Sequence, residues 1–243
     1  MLKNQDNFLP IKKGKVVVCG PNADKIVTGG GSGFVTPLIS SPVSVGMSNI
    51  DKRIKTTSIT PKILAMPDTP AFQDKELTKP GVKVEFFENV ELKGEPKRIY
   101  IDGNAKEAHD DLNKENVSSR HTFVIKPEQD FRYRIHLSGN DGCRMFINGE
   151  KMIDEWYSTS WQYKYIDMDF KAGTSYEFVV EQFNLSGSIG LELKFEIPLD
   201  SNPDAIKRYQ EADCIVACLG HNNLSEKENH DRTFELPEGQ MDF

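Results

Sequence analysis

Apolar positions along this chain follow two different rhythms. Near each end, a short unbroken apolar run closes on glycine: Lys15-Val-Val-Val-Cys-Gly20 and Asp213-Cys-Ile-Val-Ala-Cys-Leu-Gly220. Both read as buried strands. Between them lie short alternating runs: Val82–Phe87, His121–Ile125, Phe131–Leu137, Arg144–Ile147, Ser175–Val180 and Gly190–Phe195. Many alternating strands at short spacing with polar turns predict an antiparallel β-sandwich. Asn148-Gly149, set between Phe146-Ile147 and Met152-Ile153, predicts a tight hairpin. Asp204 to Asp213 predicts a short amphipathic helix, with Ala205, Ile206, Tyr209 and Ala212 on its apolar side. That helix feeds the second buried strand, which completes an α/β unit interrupted by the sandwich. The expected fold is therefore α/β plus all-β.

Segment boundaries follow from these rhythms. Residues 1–58 form the first part of the α/β domain, and 59–80 a linker whose Pro61, Pro67, Pro70 and Pro80 block regular helix or central strand. Residues 81–198 form the inserted sandwich, and 199–243 the second part of the α/β domain. The final residues stop just after Leu236-Pro237, which reads as the lead into a helix, so the chain is expected to be a fragment.

Composition narrows the partners. The chain has 243 residues, enough for one large or two ordinary domains, with 28% charged and 37% hydrophobic residues, as in soluble proteins. A formal net charge of -7 argues against nucleic acid, which wants clustered Lys and Arg. No stretch approaches the roughly 20 apolar residues needed to span a membrane. Cys19, Cys143, Cys214 and Cys218 show neither a CxxC pair nor metal spacing, and a disulfide framework is not expected. The glycine run Gly29-Gly-Gly-Ser-Gly33 lacks the Lys-Ser/Thr of a phosphate cradle, and no GxGxxG opens a helix after the first strand. A tight turn or a sugar-site wall fits it better.

Candidate chemistry sits just past Gly220. In open α/β sheets ligands bind beyond the carboxyl ends of strands, and here that position carries Glu226, Glu228, His230, Asp231 and Arg232. A carboxyl crowded by other acids and partly desolvated holds its proton to higher pH, as a general acid must. By composition alone a solvated acidic loop explains the same residues. His230 has no second His or Cys at ligand spacing, so no metal is expected. In the sandwich, Trp156, Tyr157, Trp161, Tyr163 and Tyr165 are either core residues or sugar-stacking rings.

Several motifs together carry a resemblance. Asn7-Phe-Leu-Pro10, Val16-Val-Val-Cys-Gly-Pro-Asn-Ala23, Gly29-Gly-Gly-Ser32, Ala212-Asp213 through Gly220, Glu226-x-Glu228-x-x-Asp231-Arg232 and Leu236-Pro237-x-x-Gln240 resemble, in order and spacing, the second domain of glycoside hydrolase family 3. The middle segment resembles the protective-antigen-type (PA-14) β-sandwich through Leu92-x-Gly94-x-Pro96, Gly139-Asn-Asp-Gly142, Phe146-Ile-Asn-Gly149, Ile153-Asp154-x-Trp156 and Ala172-Gly173-x-x-Tyr176. The α/β part is then part of an α/β/α sandwich.

The resemblance implies a retaining exo-β-glycosidase acting on terminal non-reducing bonds of β-linked oligosaccharides or aryl and alkyl β-glycosides. Its nucleophile would lie on a barrel domain absent from this chain, and no cofactor is implied. Position in the pattern makes Glu228 the candidate general acid/base and Glu226 the alternative, with Asp231 and Arg232 holding the loop and lining the entrance. Trp156 and Trp161 are the candidate sugar platforms of the sandwich. Family members show Glu-Gly where this chain has Glu228-Asn229. Some PA-14 relatives bind sugar through calcium held by paired aspartates, where this chain has Asn140-Asp141, one charge short. The rival expectation is a non-catalytic carbohydrate-binding or adhesion module built on the sandwich. Substrate identity, compartment and homo-oligomerisation stay open.

Overall fold

Two compact units divide the chain, one made of residues 1–61 and 202–243 and the other of residues 62–201. The computed structural model describes residues 3–28, 33–50, 52–59, 61–105, 115–159, 161–187, 189–221, 234–237 and 240.

In the first unit, Val16 to Cys19 are all buried and occupy β1 (Gly14–Cys19). Helix α1 (Val43–Ile50) leads to β2 (Ile54–Ile59), and α2 (Pro203–Gln210) leads to β14 (Cys214–Ala217). Both strands pair parallel to β1, in the order β14-β1-β2. An unbroken apolar run suits the central strand of a parallel sheet, which has no solvent face to alternate towards. Helix α2 starts where the sequence dictates. Pro203 supplies the preset φ of a first helical residue, and the Asn202 Oδ1 accepts from the amides of Asp204 and Ala205 at 3.1 and 3.3 Å. Asp213 reaches back across 198 residues, its Oδ2 accepting from the Lys15 amide at 2.8 Å.

The second unit is an antiparallel sandwich. One sheet runs β10 (Glu150–Glu155), β9 (Gly142–Ile147), β12 (Tyr176–Asn184), β7 (Val117–Ile125), β5 (Val82–Phe87) and β6 (Arg98–Asp102), with β4 (Ala71–Phe72) added on β7. The other runs β11 (Trp161–Phe170), β8 (Phe131–Asn140), β13 (Leu191–Ile197) and β3 (Lys62–Leu64). Alternate residues of the two inner faces form the core: Val82, Val84, Phe123, Ile125, Ile135, Leu137, Met145, Phe178, Val180, Leu193 and Phe195. Phe123 stacks on Phe178 at 4.7 Å, and Tyr133 meets Phe195 edge-on at 5.7 Å.

The hairpin expected at Asn148-Gly149 joins β9 to β10, with φ of 52° and 81° at its two central residues, the positive pair that a type I′ turn requires. The proline-rich segment 59–80 departs from the reading as a plain linker. It contributes β3 and β4, a three-residue strand at the end of the smaller sheet and a two-residue strand on β7. Prolines exclude central strands but leave short edge pairings available between them.

His121 stands out in this core. It is fully buried on β7, its Nε2 lies 3.0 Å from the Ser119 hydroxyl, and its Nδ1 has no hydrogen-bond partner among the described residues. Burial lowers its pKa to about 4, against a smaller opposing pull from Asp102. A histidine whose folded pKa is depressed stays neutral in the fold while the unfolded chain takes up a proton. Its contribution is therefore whole above pH about 6.5 and fades as pH falls towards about 4. The shift corresponds to about 3 kcal/mol. Urea unfolding of the wild type at pH 7 and 4.5 should show this loss, and His121→Gln should remove most of that pH dependence. Equal pH slopes in the two proteins would contradict it.

Candidate functional site

The order β14-β1-β2 makes the carboxyl ends of β1 and β14 a topological switch point, because the chain leaves β1 towards β2 on one side while β14 lies on the other. Backbone bonds knit the two strand ends together. The Cys218 amide donates to Cys19 O at 2.7 Å, and the Asn22 amide to Cys218 O at 3.2 Å. Gly20 has φ of +97°, and a Cβ there would stand 2.7 Å from Cys218 O, so only glycine permits this approach.

Gly220 is then gripped from two directions. Asn22 Nδ2 donates to its carbonyl at 3.2 Å. The buried Gln240 side chain accepts from its amide at 2.7 Å and donates to its carbonyl at 3.1 Å. Each end of one primary amide thus mates with a backbone group of the residue that ends the β14 run. A cleft of about 440 Å³ opens beside these groups, lined among others by Asn22, Lys25, Ser41, Cys218 and Leu219. Burial pushes the Cys19 and Cys218 thiols up, and for Cys218 the neighbouring Cys19 and Asp24 add to the effect, which disfavours the thiolate form of both. The Ser58 hydroxyl is hydrogen-bonded to Asp24.

Glu226, Glu228, Asp231 and Arg232 lie outside the described residues, as do Gly29 to Ser32. What is described is the frame around the acidic segment: it follows His221 directly, and Gln240, beyond its other end, is bonded to Gly220. The pattern Leu236-Pro237-x-x-Gln240 was legible, but the target of the glutamine was not, since nothing local in the sequence joins it to Gly220.

Both candidate tryptophans belong to the sandwich unit. Trp156 is half-buried, packed edge-on to Phe183 at 4.8 Å with the Arg144 guanidinium 4.1 Å from its ring centre. Trp161 is 42% exposed at the start of β11, where it pairs with Asn140. Asp141 is buried at φ of 55°; one carboxylate oxygen accepts from the Ser158 hydroxyl at 2.7 Å and the other from the Leu185 amide at 2.9 Å. This carboxylate staples the loops around residues 158 and 185. No cluster of His, Cys, Asp and Glu able to hold a metal occurs among the described residues. Nor is any described helix long and apolar enough to cross a membrane.

Sequence reasoning missed two side-chain groupings. Glu181 is buried between Arg120 and Arg144, each at 2.7 Å. His136 is held between the Tyr163 hydroxyl, 2.5 Å from Nδ1, and Glu196, 2.8 Å from Nε2. Alternation alone places these residues on outer sheet faces; strand register, which the sequence does not show, brings them together.

A parallel α/β unit with a crevice at its switch point, interrupted in sequence by an antiparallel sandwich, is the class of architecture defined here. The chain belongs to glycosyl hydrolase family 3: the model of that family's C-terminal domain matches residues 1–243. Among solved structures, it is similar to a β-glucosidase from Kluyveromyces marxianus in complex with glucose, at 20% identity and a TM-score of 0.49, covering 99% of this chain and 33% of that one. An anti-sigma factor domain-containing protein from Clostridium clariflavum matches at 22% identity and a TM-score of 0.44, over 58% of this chain and 48% of that one. The PA14 sugar-binding domain of an RTX adhesin matches at 10% identity and a TM-score of 0.38, over 48% and 89%. The chain spans about a third of the length of the β-glucosidase, 33%. No curated protein matches it.

Proposed function

We propose that this chain supplies the general acid/base of a retaining exo-β-glycosidase of β-glucosidase type, with the attacking aspartate on a barrel domain of the same polypeptide. One observation supports the reading: Asn22 and Gln240 both bond to Gly220, just past β14 at the switch point, and in sequence Gly220 and Gln240 flank the segment that carries Glu226 and Glu228. A retaining pair needs its two carboxyls about 5 Å apart, so one member may not wander. The hydrogen bonds of Asn22 and Gln240 to Gly220 fix a backbone point close in sequence to these acids without using a charged group.

In this mechanism Glu228 protonates the departing glycosidic oxygen while the barrel aspartate attacks the anomeric carbon. Glu228, now ionised, then takes a proton from the water that releases the sugar. Asp231 and Arg232 hold the loop and border the entrance. Substrates are terminal β-D-glycosides of oligosaccharides or of aryl and alkyl groups.

The test is a comparison of the purified 243-residue chain with the polypeptide that includes the barrel, on an aryl β-glucoside. Turnover by the longer protein alone is expected. A β-glucosidase rate from the shorter chain by itself would refute the division of labour.

A further inference from the structure

The two sheets of the sandwich unit differ in how their edges are finished. Among the described residues they end on four strands: β10 and β6 in the larger sheet, β11 and β3 in the smaller. An edge strand presents a row of backbone donors and acceptors, and proteins blunt it with charge, bulges, proline or shortness. Strand β10 shifts register between Lys151 and Ile153 and carries Glu150, Lys151, Asp154 and Glu155. Strand β11 carries Lys164, Asp167 and Asp169, and Lys164 reaches Glu155 of β10 at 3.4 Å. Strand β3 is three residues long and lies between Pro61 and Pro67.

Strand β6 has none of these devices along its middle. Arg98-Ile-Tyr-Ile-Asp102 pairs with β5 in unbroken register and contains neither proline nor lysine. Ile99 and Ile101 stand opposite Glu85 and Lys83 of β5 on the outer face, 55% and 48% exposed. Tyr100 points to the other face and packs against the core, with the Arg98 guanidinium 5.5 Å from its ring centre. The Asp102 carboxylate is fixed as well, its Oδ1 accepting from the Gly103 amide at 2.6 Å. Two isoleucines around a tyrosine are the residue types that pair best across strands.

The order of charge along β6 selects the occupant. The strand is positive at its first residue, negative at its last and uncharged between. Turned antiparallel about Tyr100 against the same strand of a second copy, each Arg98 faces an Asp102 and each Ile99 an Ile101. The two-fold axis makes every such pair twice, as in any isologous interface. Parallel pairing would set Arg98 beside Arg98 and Asp102 beside Asp102, so the charges also fix the direction. An unrelated extended peptide could satisfy the backbone, but would match this charge order only by coincidence.

We propose that β6 pairs antiparallel with β6 of a second copy of this chain, centred on Tyr100, joining the two larger sheets into one. A five-residue strand buries less than the about 800 Å² per partner of a standard interface, so the dimer is weak and concentration-dependent. The pairing is independent of the acid/base reading, since it uses only the unit of residues 62–201.

Sedimentation velocity of the 243-residue chain tests this, with a reversible monomer–dimer equilibrium expected between about 10 µM and 1 mM. Arg98→Asp and Asp102→Arg each place like charges opposite one another at both ends, and each should weaken self-association about tenfold or more. An equal mixture of the two variants again sets opposite charges together at both ends, and should associate about as well as the wild type. Ile99→Lys, changed on the exposed face away from the core, should weaken association without either charge reversal, and thermal melting checks that each variant is folded. A monomer throughout the range, unchanged association in the folded variants, or a mixture no stronger than its components would each overturn the proposal.

Discussion

Replacing Glu228 by alanine in the full-length polypeptide is expected to slow hydrolysis of alkyl β-glycosides by about 10²- to 10⁴-fold, the usual worth of a positioned proton donor. The loss should shrink steadily as the leaving group becomes more acidic. A nitrophenolate departs without help, so glycosylation of the enzyme on that substrate keeps most of its rate, and the defect moves to the second step, where water must be deprotonated. A small anion such as azide, which needs no base, should then restore turnover and yield the glycosyl azide. Glu226→Ala is the matched control, expected to leave the leaving-group dependence close to that of the wild type. If Glu226→Ala shows the steep dependence and Glu228→Ala does not, the two roles are exchanged; a uniform loss in Glu228→Ala would point to a binding role instead.

Removing Glu181 should unfold the sandwich far more readily than removing an acid from its surface. On the outer face of the larger sheet, register aligns Glu85, Arg120, Glu181, Arg144 and Asp154 across five strands, so charge alternates from one strand to the next. Glu181 sits mid-row and is 4% exposed, with a guanidinium on either side. Arg144 also lies over Trp156, and Arg120 over Phe87 at 5.8 Å, so their stems are packed as well as paired.

Glu181→Ala leaves two partly buried cations facing each other across a small void. Breaking a buried pair in this way costs about 3 to 5 kcal/mol, and the lower end applies because side-chain exposure of Arg120 and Arg144 is 33% and 26%. Glu192→Ala, whose pair with Lys194 is exposed on both sides, should cost under about 1 kcal/mol. Urea unfolding of the two variants is the measurement, and near-equal midpoints would contradict the ranking.

The row also shows where sequence reading ends. Alternation in Phe131–Leu137 or Ser175–Val180 is a property of each strand by itself, because successive side chains must point to opposite faces. The Asn148-Gly149 hairpin is equally local, since two positive φ values in succession are something few residue pairs tolerate. The strands at Val16 and Ile215 were likewise visible as apolar runs, but only the first is buried. β14 ends the described sheet, and Ile215 is 51% exposed, because a strand with a neighbour on one side only keeps part of its surface in solvent. Edge strands at Lys62–Leu64 and Ala71–Phe72 were not, because prolines mask strands that form only when a neighbouring edge is there to receive them.

Strand identity, the hairpin and the break between α/β and all-β character were thus determined by the chain's own pattern, through backbone sterics and burial within each short window. The tertiary structure alone decided which strands are neighbours and in what register. Pairing of β1 with β14, Gln240 on Gly220, Glu181 between two arginines and Tyr163 on His136 are all long-range choices. A slip of one residue would leave every local preference satisfied yet turn each of these side chains to the opposite face. Only the packing of complete sheets against each other excludes that slip.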